Sequence, residues 1–173
     1  MKKTISLVFI SCALVSFMYG EIKIGTVNSQ NVFDNSLKGK EIIEKLNSLY
    51  QKTNKKIELM RKEVDTLEKE VLSLASNQEM QEKKKLDIQK KKDEINKYAV
   101  DAEKESQKFQ KEEFENVRKE LLFIIEEIAK SDGYSLILEG TKNILFTDQT
   151  VSITDISDKV TSAYNVHYSL RKK

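Results

Sequence analysis

Residues 40–132 contain neither glycine nor proline, and Gly39 and Gly133 stand at the two ends of that interval. Those two residue types weaken or end helices more than any others. An interval of this length without either, dense in Lys, Glu, Gln and Leu, reads as long helix. A chain that gives more than half its length to one helical feature is mechanical before it is catalytic. The question its remaining residues must answer is what the helix holds, spaces or encloses.

The helix has a face for a partner. Ile43, Leu46, Tyr50, Thr53, Ile57, Met60, Val64, Leu67, Val71 and Leu74 fall alternately three and four residues apart. That is a heptad seam, and a strict seven-residue repeat implies a left-handed supercoil. The pattern stops at residues 73–79 (SLASNQE), where Ser76 and Glu79 have the spacing of a capping box. A turn near residues 75–78 therefore divides the interval into two antiparallel arms, each about 60–75 Å long at about 1.5 Å per residue. The second arm carries Ile88, Ile95, Tyr98, Ala102, Phe109, Phe114, Val117, Leu121, Ile124 and Ile128. Lys91 and Glu105 occupy positions there that should be apolar, and the spacing slips between Phe109 and Phe114. The hairpin is expected to be looser near its tip than at its base.

The chain on either side supplies a small body. Residues 21–27 (EIKIGTV) alternate as a half-buried strand does. Asn28 and then Ser36 are cap candidates, the first for a single turn burying Val32 and Phe33, the second for the long helix. After Gly133, residues 134–138 (YSLIL) and 143–146 (NILF) are two apolar runs joined by a short polar link, the pattern of a β-hairpin. Thr154-Asp155 is placed to cap a last amphipathic helix carrying Ile156, Val160, Ala163 and Tyr164. The expected fold is α+β: residues 21–35 and 133–173 form a small β-rich body, and residues 36–132 form a coiled-coil hairpin projecting from it. Two or three strands make a marginal core with open edges. Ile22, Ile24, Val27, Leu136, Ile137, Leu138, Ile144 and Phe146 are the candidates for joining such bodies together.

Several function classes fall away. Residues 1–20 have the basic start and short apolar core of a signal peptide, with a cut after Gly20. Phe9-Ile10-Ser11 is a poor lead-in for lipidation at Cys12, so the expected product of a cleaved leader is secreted or periplasmic. Cys12 is the chain's one cysteine, which leaves the mature protein without a disulfide or a thiol nucleophile. Without Lys2 and Lys3, 28 basic residues face 28 acidic ones, which does not suggest a nucleic-acid binder. His167 stands alone, the glycines are isolated, and the carboxylates sit among lysines at helix-surface spacing. No enzyme, metal or cofactor is expected. Lys83, Lys84, Lys85, Lys90, Lys91 and Lys92 concentrate positive charge just beyond the tip, a place to meet acidic polypeptide segments or an anionic membrane surface. Tyr98, Phe109 and Phe114 are candidates for touching a bound polypeptide.

Taken in order, these segments resemble the Skp/OmpH family of periplasmic chaperones. KIGTVNSQNVF (23–33) is similar to that family's opening strand and Val-Phe turn, and Ser36 with Gly39-Lys40 to the start of its long helix. GYSLILEGTKNILFTD (133–148) and DISDKVTSAYN (155–165) resemble the strands and closing helix after its coiled coil. The resemblance implies a homotrimer whose bodies form a hub and whose hairpins enclose a cavity for unfolded outer-membrane proteins, without ATP. The better-known members of that family are strongly basic, and this mature chain is formally neutral. The alternative reading is a coiled-coil spacer or adaptor of the cell envelope.

Overall fold

The computed structural model describes residues 22–74, 77–141, 144 and 146–172; the leader segment and Ser76 lie outside them. In chain order the elements are β1 (Ile22–Val27), α1 (Ser29–Asn35), α2 (Leu37–Ser73), α3 (Gln78–Asp132), β2 (Leu136–Glu139), β3 (Val151–Asp155) and α4 (Ser157–Arg171). It is an α+β fold, a long helical hairpin on a small three-stranded sheet.

Local chemistry sets each helix boundary. Asn28 caps α1 through Oδ1, which accepts the Asn31 N–H at 3.0 Å. Ser36 Oγ accepts the Gly39 N–H at 3.0 Å and donates to the Phe33 carbonyl at 2.9 Å, so one buried hydroxyl ends α1 and starts α2. Asn77 caps α3 by accepting the Met80 N–H at 3.1 Å. Gly133 ends α3 at φ 72°, the left-handed C-terminal conformation that glycine adopts without steric cost. Asp155 acts one residue further from α4 than a cap would. Its carboxylate accepts both the N–H (2.8 Å) and the hydroxyl (2.6 Å) of Ser157.

The sheet differs from the expected hairpin. Its order is β2-β1-β3, and both neighbours run parallel to β1. The third strand is Val151–Asp155, whereas Ile144 and Phe146 lie in the connection that precedes it. After β2 the chain must pass to the other edge of β1, and a link of a few residues cannot make a parallel crossover. β1 is thus central, which is why Gly25, Thr26 and Val27 are buried in succession.

One core joins body and arm. Val27, Val32, Phe33, Ile42, Val117, Leu121, Ile124, Ile128, Ile156, Val160 and Tyr164 form one cluster, with Ile137 and Tyr134 packed against it. A second cluster lies toward the tip: Val64, Ile88 and Ile95, with Ile57, Met60, Leu67 and Val71 against them. The arm therefore does not loosen steadily outward; its packing is interrupted halfway. Between the clusters the half-buried or buried residues of the seam are Leu49, Thr53, Tyr98, Ala102 and Ser106. Replacing Thr53 with Leu should bridge the two clusters and slow backbone amide exchange over residues 47–56 and 99–108 by about fivefold to tenfold. Hydrogen exchange read by mass spectrometry checks this; unchanged rates would mean that the interruption does not set local opening.

The seam itself also shifts from the sequence reading. Ile42, not Ile43, is buried, and Ile43 and Tyr50 face outward. On α3 Phe114 leaves the seam and Glu113 stands in it, its Oε2 2.6 Å from Lys38 Nζ on α2. That approach is ionic and falls outside hydrogen-bond angles. Straight helices drift by about 20° per heptad, and the body docks where the drift has accumulated. The buried stripe there is chosen by α1 and α4 as well as by the opposite arm.

Candidate functional site

The surfaces that this fold leaves open lie at the sheet, the base of the arm, the tip and the outer flank of α3. At the sheet, Ile22, Ile24, Leu136, Leu138, Val151 and Ile153 share one face by register. Ile22 and Leu136 remain about half exposed on it, whereas Val27 and Ile137 belong to the protomer's own core. Among the described residues, both outer strands present an unpaired edge. Of the eight body residues read from the sequence, four therefore share the open face and two are internal. Ile144 and the 85% exposed Phe146 sit in the connection.

At the base, α1 and α3 diverge and leave an apolar groove of about 330 Å³, at the small end of the roughly 300–1,000 Å³ range of binding clefts. Phe33 and Phe114 form its floor, their rings edge-to-face at 4.8 Å. Leu121, Leu122 and Ile125 line one wall, and Arg118 and Gln30 stand at the rim. Of the three aromatic residues singled out above, only Phe114 opens onto this groove. Phe109 packs against the main core and Tyr98 is half-buried in the mid-arm seam.

At the tip the lysines divide into two sets. Lys91 reaches Glu63 at 2.7 Å, Lys92 reaches Glu68 at 2.8 Å, and Lys84 pairs with Glu70, each across from α3 to α2. Lys84 and Lys91 stand where apolar seam residues would, so these pairs fix the register of the hairpin. The hydrogen bond from Lys91 holds the Glu63 carboxyl below the usual carboxylate range, and the same contact raises Lys91. Both therefore stay ionised at neutral pH. Half of the basic cluster is committed to ion pairs across the two arms, and Lys83, Lys85 and Lys90 are left facing outward.

The last helix locks the body to both arms. Tyr164 is fully buried, and its hydroxyl donates to Glu120 of α3 at 2.9 Å. Burial, and then that hydrogen bond, push the phenol well above its ordinary range, so it remains a donor. Arg171 meets the other Glu120 oxygen at 2.6 Å, and Lys172 meets Glu41 of α2 at 2.6 Å. Among the described residues no group of His, Cys, Asp and Glu is arranged to hold a metal ion, and no helix is long and apolar enough to cross a membrane.

The outer flank of α3 carries a further pattern, plain in the order of its residues. Lys83, Lys90, Lys97, Lys104, Lys111 and Arg118 recur at every seventh residue of α3. Reading the lysines as two triplets obscured that period.

A parallel-sheet body carrying a supercoiled helical hairpin defines the architectural class. The family model for outer membrane protein (OmpH-like) matches residues 23–164, and the chain belongs to that family. A crystal structure of an OmpH-like protein from Caulobacter crescentus CB15, described as a candidate outer membrane chaperone, has the same fold. It superposes with a TM-score of 0.73 at 19% identity, over 83% of this chain and 84% of that one. A comparison with curated proteins finds no match.

Proposed function

We propose that this protein is an ATP-independent periplasmic holdase that keeps unfolded outer-membrane proteins soluble, working as a homotrimer joined through its sheet bodies. The observation that carries this reading is the incompleteness of the body. Among the described residues, three short parallel strands have two open edges, and one face bears the exposed Ile22 and Leu136 at the foot of a 55-residue helix. Parallel sheets are ordinarily covered on both faces, so a body left like this calls for neighbours of its own kind. Arms set around such a hub enclose a space, and many weak contacts inside it hold a client by avidity. Membership of the OmpH-like family and the chaperone described for its structural neighbour support the same reading.

The test has two parts. Sedimentation equilibrium of the protein at micromolar concentration should give three times the chain mass; a monomer would remove the cavity. Light scattering of a denatured β-barrel membrane protein diluted into buffer should then fall as protein is added, levelling off near one trimer per client. Unchanged scattering at that ratio would overturn the holdase reading.

A further inference from the structure

The six cations spaced by seven residues on α3, Lys83 to Arg118, form a track. A seven-residue period keeps side chains on one stripe of a supercoiled helix, and all six residues are exposed. At about 1.5 Å per residue they are spaced about 10.5 Å apart and run about 52 Å from the tip to the base. Lys83, Lys97, Lys104 and Lys111 have no ion-pair partner among the described residues. Lys90 comes only to 4.0 Å from Asp87, and Arg118 to 3.2 Å from Glu115. The acids Asp87, Glu94, Asp101 and Glu115 lie three residues before their cations, along one side of the stripe.

The other side of the stripe is different. Leu86, Val100 and Phe114 lie three residues after Lys83, Lys97 and Lys111, and they are exposed by 64%, 49% and 41%. Asp93 and Gln107 take the positions between them. The last cation, Arg118, is at the rim of the Phe33–Phe114 groove. Charge and apolar surface thus run side by side along one helix and end in a cleft floored by two phenyl rings.

We propose that this flank of α3 binds an extended acidic polypeptide segment, its carboxylates on the lysine row and an aromatic side chain in the groove. The spacing favours a polypeptide. Unfolded chains often adopt the polyproline II conformation, with three residues per turn and about 3.1 Å of rise. Carboxylates at every third residue then share one face at about 9.3 Å intervals, close to the period of the cations. A bilayer surface is planar and would meet the tip, whereas this feature is a line along the shaft. The inference rests on the holdase reading and names the kind of segment that the arm prefers. It also reconciles a formally neutral mature chain with charge-guided binding, because the cations are aligned and not merely numerous.

The test is fluorescence anisotropy on the assembled protein, with labelled peptides of about twenty residues. One has Asp at every third position and a Phe near one end; the second replaces Asp with Lys, and the third replaces Phe with Ser. The first should bind about tenfold more tightly than either of the others, and its affinity should fall with added salt. Reversing the row with Lys97→Glu, Lys104→Glu and Lys111→Glu should weaken it about tenfold. Reversing Lys45, Lys52 and Lys55 on α2, an equal change in net charge, should weaken it less than twofold. Leu122→Ser should reduce the preference for Phe and leave the preference for Asp. Equal losses in the two triple variants would mean bulk charge alone and would overturn the proposal. So would row-dependent binding to phosphatidylglycerol vesicles with no binding of the peptides. The holdase reading is tested separately: suppression of scattering without peptide preference sinks only the track. Peptide preference without suppression sinks only the holdase.

Discussion

Gly39→Ala should destabilise the protein by about 1–2 kcal/mol, although alanine is the better helix former. The sign is decided by two magnitudes. Helix propensity favours Ala over Gly by about 1 kcal/mol in a helix interior. Against that, a Cβ at Gly39 would lie 1.8 Å from the Phe33 carbonyl oxygen and 2.9 Å from Ser36 Oγ. The obstacle is backbone, so the end of α1 would have to move by more than an ångström and carry the Ser36 cap with it. Overpacking a site that cannot relax costs about 1–3 kcal/mol and occasionally more. Urea unfolding at fixed protein concentration should show a midpoint below that of the parent protein. Gly133→Ala is the comparison: nothing lies within 4 Å of its Cβ position, and only its φ of 72° is unfavourable. It should cost about 1 kcal/mol. If Gly39→Ala proved neutral or stabilising, α1 and α2 could not be as closely joined as described.

Tyr164→Ala should cost about 3–5 kcal/mol, the range for removing a buried aromatic side chain. Tyr164 is wholly buried where α4 meets α3, in one cluster with Val160, Leu121 and Ile124. Tyr164→Phe separates the two contributions, since it keeps the ring and removes only the hydroxyl that serves Glu120. That variant should lose about 1.5–3 kcal/mol, as for a hydrogen bond to a charged group. The Arg171 contact lets Glu120 keep one partner, which favours the lower end. Thermal unfolding of both variants and the parent checks the order. Equal losses would mean that the hydroxyl carries the contact and the ring does not. The consequence reaches function through mechanics: with α4 loosened, the arms are no longer held at a defined angle to the body.

The parts of the fold governed by local chemistry were legible in the chain. A heptad period is visible wherever one looks along a helix, and Asn28, Ser36 and Gly133 act on backbone groups within a few residues of themselves. The cation row belonged to the same readable class and was hidden only by grouping neighbours in place of seventh residues. The groove was less accessible. Phe33 and Phe114 are far apart in the chain, and nothing local says that α1 will lean toward the outer side of α3.

What only the tertiary structure decided was pairing. The apolar residues at 143–146 follow β2 closely and invite a hairpin, yet Val151–Asp155 is the strand that joins β1. Strand partners are chosen by distant surfaces competing for the same edge, whereas helix and cap are chosen by neighbours. Likewise a lysine triplet does not say which members face α2: Lys84 finds Glu70 while Lys83 faces water, a division set by the supercoil. The sequence by itself determined a glycine- and proline-free helical arm with a small body at its foot. The packing of that arm against its own return strand of helix determined which of its charges remain free to bind anything else.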